Sequence, residues 1–126
     1  MRPEETVILV LDDEDIVRKF ICAALSSEGY AVLEATSAAE AIAVANQAAV
    51  IDLLIADHLL KDGSSGPDAA NRIVRRHPRM QVLHISGLPR GALDTPQDLT
   101  AGIRYIAKPF GPRVLLAAVR EVLEAD

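Results

Sequence analysis

The stretch from Ile51 to His58, I-D-L-L-I-A-D-H, constrains the fold of this chain more than any other. Four consecutive apolar residues lead directly into Asp57, and a short apolar run of this kind is typical of a strand that is buried on both faces. In open parallel sheets, ligands bind at the carboxyl ends of the strands. The stretch therefore predicts a central parallel strand with Asp57 as the functional group at its end.

Strands and helices are predicted to alternate along the rest of the chain, which indicates an α/β fold with a parallel sheet. Right-handed connections and a doubly wound, flavodoxin-like strand order of 2-1-3-4-5 would place the third strand in the middle, beside the first. The other predicted strands are Val7–Leu11, Ala31–Ala35, Gln81–Ile85 and Ile103–Ala107, and the predicted helices are about Glu14–Ser27, Ser37 to about Ala48, about Pro67 to Arg76, and a last helix from Pro112.

A further helix belongs between the fourth and fifth strands, in the segment Leu88–Thr100. Pro89, Gly91 and Pro96 interrupt this segment, and both residue types disfavour the interior of a helix. We therefore expect helix 4 to be short or distorted.

Composition and charge are those of one ordinary globular domain over residues 1–126. Half of the residues are hydrophobic, a quarter are charged, and the net charge of −5 argues weakly against nucleic-acid binding. The single cysteine, Cys22, cannot form an internal disulfide, which fits a reducing compartment. No apolar run approaches the roughly 18 residues of a membrane span, and the N-terminus leads at once into a strand without a signal peptide. We expect a cytoplasmic domain that binds neither nucleic acid nor membrane.

Polar side chains stand at four of the five predicted strand ends. They are Asp12 and Asp13, Asp57, Ser86 and Lys108, and in a parallel sheet all these ends lie on one edge. Three crowded carboxylates repel one another, and a divalent cation relieves that repulsion. Oxygen ligands of this kind favour Mg²⁺, which commonly binds one or two carboxylates plus a phosphate. With an ammonium and a hydroxyl nearby, the set fits phosphoryl transfer to an aspartate.

Four sequence motifs together resemble the receiver domain of response regulators, from about Val7 to Leu123. They are L-D-D-E after strand 1, L-L-I-A-D at strand 3, I-S-G after strand 4 and Y-I-A-K-P-F at strand 5. The resemblance implies a phosphorylation-operated switch in two-component phosphorelay signalling, either a stand-alone receiver or the receiver of a hybrid histidine kinase. It also implies that a sensor histidine kinase or histidine phosphotransfer protein is the partner and docks near helix 1, and that an unknown downstream protein is a second partner. No enzymatic activity is implied beyond Mg²⁺-dependent phosphorylation and dephosphorylation of the domain itself.

The resemblance also implies roles for the acidic residues. Asp57 would accept the phosphoryl group from the phosphohistidine of a kinase. Asp13 and Asp57 would be direct Mg²⁺ ligands, Asp12 would act mainly through water, and the main-chain carbonyl of Leu59 would complete the protein ligands.

Residues at the fourth and fifth strands take the remaining roles by the same resemblance. Lys108 would pair with the phosphoryl oxygens, and a cis peptide bond between Lys108 and Pro109 would help to aim it. Ser86 stands where a conformation-sensing hydroxyl is found, and Tyr105 where an aromatic ring swings inward on activation.

The chain departs from the family pattern after the phosphoacceptor. Lys61 replaces a frequent proline four residues after Asp57, and the loop Leu59–Gly66 is about one residue longer than in chemotaxis-type receivers. The interrupted Leu88–Thr100 segment makes a poor dimer face, so we expect a monomer or weak dimer.

Two other functions stay open at this point. A small flavodoxin-like carrier shares the fold, but the chain has few aromatic residues and no glycine-rich phosphate loop. Phosphatases of the aspartyl-phosphate type carry a D-x-D motif after the first strand, whereas Asp12 and Asp13 are adjacent in this chain.

Side-chain alternation predicts that His58 points away from Asp57 into solvent. We expect structural roles for His77 and His84, and a buried or half-buried Cys22.

Overall fold

A five-stranded parallel sheet forms the centre of the computed structural model, which describes residues 3–58, 60–61, 63–86 and 104–124. The strand order is β2-β1-β3-β4-β5, which confirms the predicted doubly wound topology. The strands are β1 Val7–Leu11, β2 Ala31–Ala35, β3 Leu53–Asp57, β4 Gln81–Ser86 and β5 Arg104–Ala107.

Helices flank the sheet on both faces. Those in the described residues are α1 Asp15–Ser27, α2 Ala38–Gln47, α3 Gly66–Val74 and the C-terminal α4 Pro112–Glu124, preceded by a 3₁₀ turn at Pro3–Glu5. The short or distorted helix predicted at residues 88–100 lies outside the described residues. Within the part of the chain that the structure describes, no helix is both long enough and apolar enough to cross a lipid bilayer.

All five residues of β3 are buried, as its apolar sequence predicted. Alternate side chains point to opposite faces of the strand. Leu54 and Ala56 pack into a core closed by α2 and α3, while Leu53 and Ile55 pack into a second core closed by α1 and α4. A strand buried on both faces is held rigidly, and the residue at its carboxyl end is therefore held rigidly too.

Helix α3 begins directly against the end of β3. The Ser65 hydroxyl accepts a hydrogen bond from the Asp68 N–H at 3.1 Å and caps the helix. The Gly66 N–H donates to the His58 carbonyl at 3.1 Å. A Cβ atom at Gly66 would clash with the Asp57 carbonyl oxygen and lie 3.2 Å from the Ala56 Cβ. Glycine is therefore what lets the helix approach the main chain of Asp57 so closely.

Candidate functional site

Three aspartates converge at the carboxyl edge of the sheet. Asp12 and Asp13 follow β1, Asp57 ends β3, and one carboxylate oxygen from each lies within 4.8 Å of the other two. The two strands are neighbours, with Leu11 paired to Ala56, so their ends meet. Asp12 is fully buried and Asp57 is 7% exposed.

Lys108 lies among these carboxylates. Its ammonium nitrogen is 3.4 Å from Asp57 Oδ2 and 3.8 Å from Asp12 Oδ2, but its shortest contact is with Glu14 Oε1 at 2.8 Å. The peptide bond from Lys108 to Pro109 is cis, as the family resemblance implied. The main-chain N–H of Lys108 donates to the Ser86 carbonyl at 2.7 Å. The lysine is therefore fixed to the end of β4 as well as to the acidic cluster.

Burial and neighbouring charges shift the ionisation of the cluster. Removal from water raises the pKa of Asp12 to about 6, against the lowering effects of the Glu14 N–H and the Lys108 charge. Burial also raises the pKa of Asp57, again opposed by Lys108. Partial burial disfavours the ammonium of Lys108, but the Glu14 hydrogen bond and the charges of Asp12 and Asp57 outweigh it, so the lysine pKa is raised.

The donor set fits a divalent cation. Asp12 Oδ1 accepts the Glu14 N–H at 2.8 Å, and Asp13 Oδ2 accepts the Lys61 N–H at 2.6 Å. Asp12 Oδ2 is buried and receives no hydrogen bond from any described residue. Leaving a buried charged oxygen without a donor costs free energy, and a cation with oxygen ligands would remove that cost. Leu59, whose carbonyl was predicted to contribute, lies outside the described residues.

Two further predicted residues lie on the neighbouring strands β4 and β5. Ser86 is 3% exposed at the end of β4, one residue past Ile85, the register partner of Asp57. Tyr105 is half-buried on β5. Ser86 therefore lies at the same edge of the sheet as Asp57, whereas Tyr105, the register partner of His84, lies two residues before the end of β5.

His58 corrects one expectation. It is half-buried rather than solvent-exposed, and its ring centroid lies 5.6 Å from that of Tyr105 and 5.9 Å from that of His84. The prediction was that a side chain alternating away from Asp57 would face solvent, but the His58 ring packs against side chains of β4 and β5. His84 is fully buried, and His77 is buried with Nε2 2.8 Å from the Ala45 carbonyl, as expected of structural histidines. Cys22 is half-buried, also as expected.

Arg18 was missed at the sequence level. Its buried guanidinium donates to the Asp12 carbonyl at 3.0 Å, to Asp15 Oδ1 at 2.7 Å and to Glu34 Oε1 at 3.1 Å. These bonds join the acidic loop, the first turn of α1 and β2. The sequence signal was an Asp–Arg pair three residues apart on a helix. That spacing is also typical of an ordinary surface ion pair, so it did not single out Arg18.

Glu14 was also missed, although it directly follows the acidic pair in the L-D-D-E motif. Its hydrogen bond to Lys108 holds the pKa of the Glu14 carboxyl below its usual range. Nothing in the spacing of Glu14 and Lys108 indicated that they would be the closest ion pair at the site.

Comparison with known proteins identifies the family. The family model for the response regulator receiver domain matches residues 8–120. The chain belongs to the response regulator receiver domain family. It is 37% identical over 118 residues to the phosphate regulon transcriptional regulatory protein PhoB of Pseudomonas aeruginosa, covering 92% of this chain and 51% of that protein. It is 30% identical over 118 residues to the sensor kinase CckA of Brucella abortus, covering 93% of this chain and 12% of that protein. The chain therefore spans about half or less of these relatives.

A solved structure gives the same result for the fold. The crystal structure of the receiver domain from the hybrid histidine kinase CckA superposes with a TM-score of 0.77 at 30% identity, covering 94% of this chain and 99% of that one. Receiver domains act in two-component systems, where phosphorylation is the family function and histidine kinases or phosphotransfer proteins are the partners. These matches do not favour the flavin-carrier and phosphatase alternatives. The receiver family binds Mg²⁺ at an acidic pocket, and Asp12, Asp13 and Asp57 form a cluster here that could hold a metal ion.

Proposed function

We propose that this receiver domain takes a phosphoryl group onto the carboxylate of Asp57. The supporting observation is the position of the Lys108 ammonium, 3.4 Å from Asp57 Oδ2 at the edge of three converging aspartates. An Asp57 oxygen attacks phosphorus while the bond from phosphorus to the donor imidazole nitrogen breaks, and the imidazole leaves with that electron pair. Lys108 stabilises the negative charge on the phosphoryl oxygens during transfer.

Asp12, Asp13 and Asp57 would hold a magnesium ion at this site. When bound, the ion supplies positive charge that neutralises both the carboxylates and the incoming phosphoryl oxygens. The buried Asp12 Oδ2 without a donor among the described residues supports this assignment. The domain itself would catalyse its Mg²⁺-dependent phosphorylation and dephosphorylation.

Phosphorylation by acetyl phosphate tests the assignment of Asp57. The wild-type chain should gain one phosphoryl group by mass spectrometry in the presence of Mg²⁺, and Asp57→Asn should gain none. Asp68→Asn is the matched control, because Asp68 is an exposed aspartate in the first turn of α3, and it should label like the wild type. Labelling of Asp57→Asn at the wild-type level would contradict the proposal.

An apolar surface beside the site supports a protein phosphodonor. It consists of Ile16 and Phe20 on α1, Phe110 just before α4 and Val114 in the first turn of α4, and we call it the apolar rim. Ile16 is 86% exposed and Val114 is 54% exposed, and the rings of Phe20 and Phe110 are 5.9 Å apart. Exposed apolar patches of this kind mark protein interaction sites. We propose that the histidine kinase or phosphotransfer protein docks here.

Two valines with nearly equal exposure allow a matched test of this docking surface. Val114 lies in the apolar rim, whereas Val50, 53% exposed, precedes β3 at the opposite edge of the sheet. Val114→Ser should slow transfer from a phosphorylated histidine phosphotransfer protein and leave labelling by acetyl phosphate unchanged. Val50→Ser should change neither. Equal transfer rates for both variants would argue against docking at the rim.

A switch that involves Ser86 and Tyr105 belongs to the same proposal. The main-chain bond from Lys108 to Ser86 joins the ends of β4 and β5, and the Tyr105 ring packs against His58, the residue after the phosphoacceptor. Charge added at Asp57 would act on Lys108 and so bias both strand ends between two pre-existing packings. The single-domain organisation, the cytoplasmic location, the absence of nucleic-acid binding and the monomeric or weakly dimeric state stay predictions.

A further inference from the structure

A main-chain donor connects the loop after Asp57 to the acidic pair. The N–H of Lys61 donates to Asp13 Oδ2 at 2.6 Å, joining residues 48 positions apart in the chain. The lysine side chain is exposed and takes no part in this bond. A proline at this position would have no N–H to donate.

The loop is folded so that this amide faces the site. The Leu60 N–H donates to the Ser64 carbonyl at 3.0 Å, and the Gly63 N–H donates back to the Leu60 carbonyl at 3.0 Å. Gly63 has a φ of +88°, a conformation that glycine adopts without strain. The Gly66 N–H then closes the loop onto the His58 carbonyl at 3.1 Å. The turn therefore fixes the direction of the Lys61 N–H.

We infer that the Lys61 main-chain amide is a positioning group that orients the Asp13 carboxylate for the divalent cation. This inference rests on the proposed metal site. The bond takes one acceptor site of the Asp13 carboxylate and leaves its other lone pairs for a cation. Carboxylates that bind metals are commonly held by hydrogen bonds from outside the ligand set, and losing such a partner typically lowers metal affinity by about 10–100-fold.

The bond also links the loop to the occupancy of the site. If an ordered loop strengthens cation binding, cation binding must strengthen the loop contact by the same factor, because the two equilibria are coupled. A bound cation should therefore protect the Lys61 amide from exchange with solvent.

Two substitutions at Lys61 separate the amide from the side chain. Lys61→Pro removes both the N–H and the ammonium, whereas Lys61→Ala removes only the ammonium. The lysine charge also acts on the nearby Glu14 and Asp15 carboxylates, so the alanine variant corrects for its loss. In Mg²⁺ titrations by calorimetry, we expect Lys61→Pro to bind about tenfold more weakly than Lys61→Ala. Equal binding by the two variants, or tighter binding by Lys61→Pro, would overturn the inference.

Amide exchange in the unaltered chain gives a second measurement, which is decisive even if Lys61→Pro fails to fold. By NMR, the Lys61 amide should exchange more slowly at saturating Mg²⁺ than without Mg²⁺, while the Gly111 amide, in the loop before α4, should change little. Unchanged or faster exchange at Lys61 would overturn the inference while leaving the metal site intact. A wild-type chain that binds no Mg²⁺ would instead overturn the metal site itself, and the inference with it.

Discussion

Replacing Gly66 with alanine should destabilise the domain, and the structure fixes both the sign and the size of the effect. The new Cβ would lie closer than 3.0 Å to the Asp57 carbonyl oxygen, a separation that real Cβ atoms essentially never show, and 3.2 Å from the Ala56 Cβ. Neither neighbour is the end of a flexible side chain, because one is main chain and the other is the fully buried Ala56. The start of α3 must therefore move away from β3.

The size of the effect follows from two opposing contributions. Gly-to-Ala substitution at an unstrained site stabilises a protein by about 0.4–1 kcal/mol, because it reduces the freedom of the unfolded chain. Forcing extra atoms into a packed region typically costs about 1–3 kcal/mol. We expect the clash at Gly66 to prevail, with a net loss of about 1–2 kcal/mol in the free energy of unfolding. For a chain of this length, the melting temperature should fall by roughly 3–6 °C for each kcal/mol.

Gly111→Ala is the matched control, because a Cβ at Gly111 meets nothing within 4 Å and the residue has no left-handed φ. Urea unfolding should show Gly111→Ala to be as stable as the wild type or slightly more stable. Acetyl phosphate labelling of Gly66→Ala should also slow, since misplacing a reacting group by about 1 Å can lower a rate by about 100-fold. A Gly66→Ala variant with wild-type stability and labelling would refute the argument that α3 needs a glycine against Asp57.

Three further perturbations test the electrostatics of the site. Burial raises the pKa of Asp12 to about 6 in the folded state, above its ordinary 3.8, so between about pH 4 and 6 the folded state binds more protons than the unfolded state. The wild type should therefore lose stability relative to Asp12→Asn as pH rises over this range, by at most about 3 kcal/mol. Urea titrations without Mg²⁺ measure this difference. A gain in stability relative to Asp12→Asn over that pH range would contradict the argument that burial raises the pKa of Asp12. Glu14→Gln removes the negative charge from the shortest contact of Lys108. It should speed acetyl phosphate labelling about two- to fivefold, the size expected of an exposed ion pair, and slower labelling would contradict this expectation. Arg18→Ala removes the side-chain donor to the Asp12 carbonyl and should lower the free energy of unfolding by about 1–3 kcal/mol. Arg18→Lys should recover part of this loss, and melting curves of both variants check the expectation.

The sequence predicted the elements whose residues are constrained by burial. β3 reads as a run of apolar residues because both of its faces are covered, and the handedness of the connections then leaves few strand orders. The same rule brings Asp12, Asp57 and Lys108 to one edge without any knowledge of side-chain geometry. The positions of the strand ends depend on the backbone, so sequence patterns are enough to predict them.

Pattern reasoning did not reach the contacts that depend on side-chain rotamers or on loop main chain. His58 was expected in solvent, but pairing of His84 with Tyr105 across β4 and β5 creates a ring surface that only the assembled sheet presents. Lys61 was noted only as the residue that replaces a proline. Its contribution to the site is the N–H that a proline lacks, and residue-type patterns do not report where a loop amide points.

The charges at the site indicate why a cation should precede the phosphoryl group. The site holds the carboxylates of Asp12, Asp13, Asp57 and Glu14, and the Lys108 ammonium lies within 4 Å of three of them. Together these five groups carry three negative charges when all are ionised. An incoming phosphoryl group is itself negative, and its repulsion by Asp12 and Asp57 is strong because these two carboxylates are buried and poorly screened. Protonation of Asp12 below its pKa of about 6 removes only one of these charges. A divalent cation would leave one, so we expect the proposed phosphorylation of Asp57 to depend on the metal more than on any single hydrogen-bond donor in the protein.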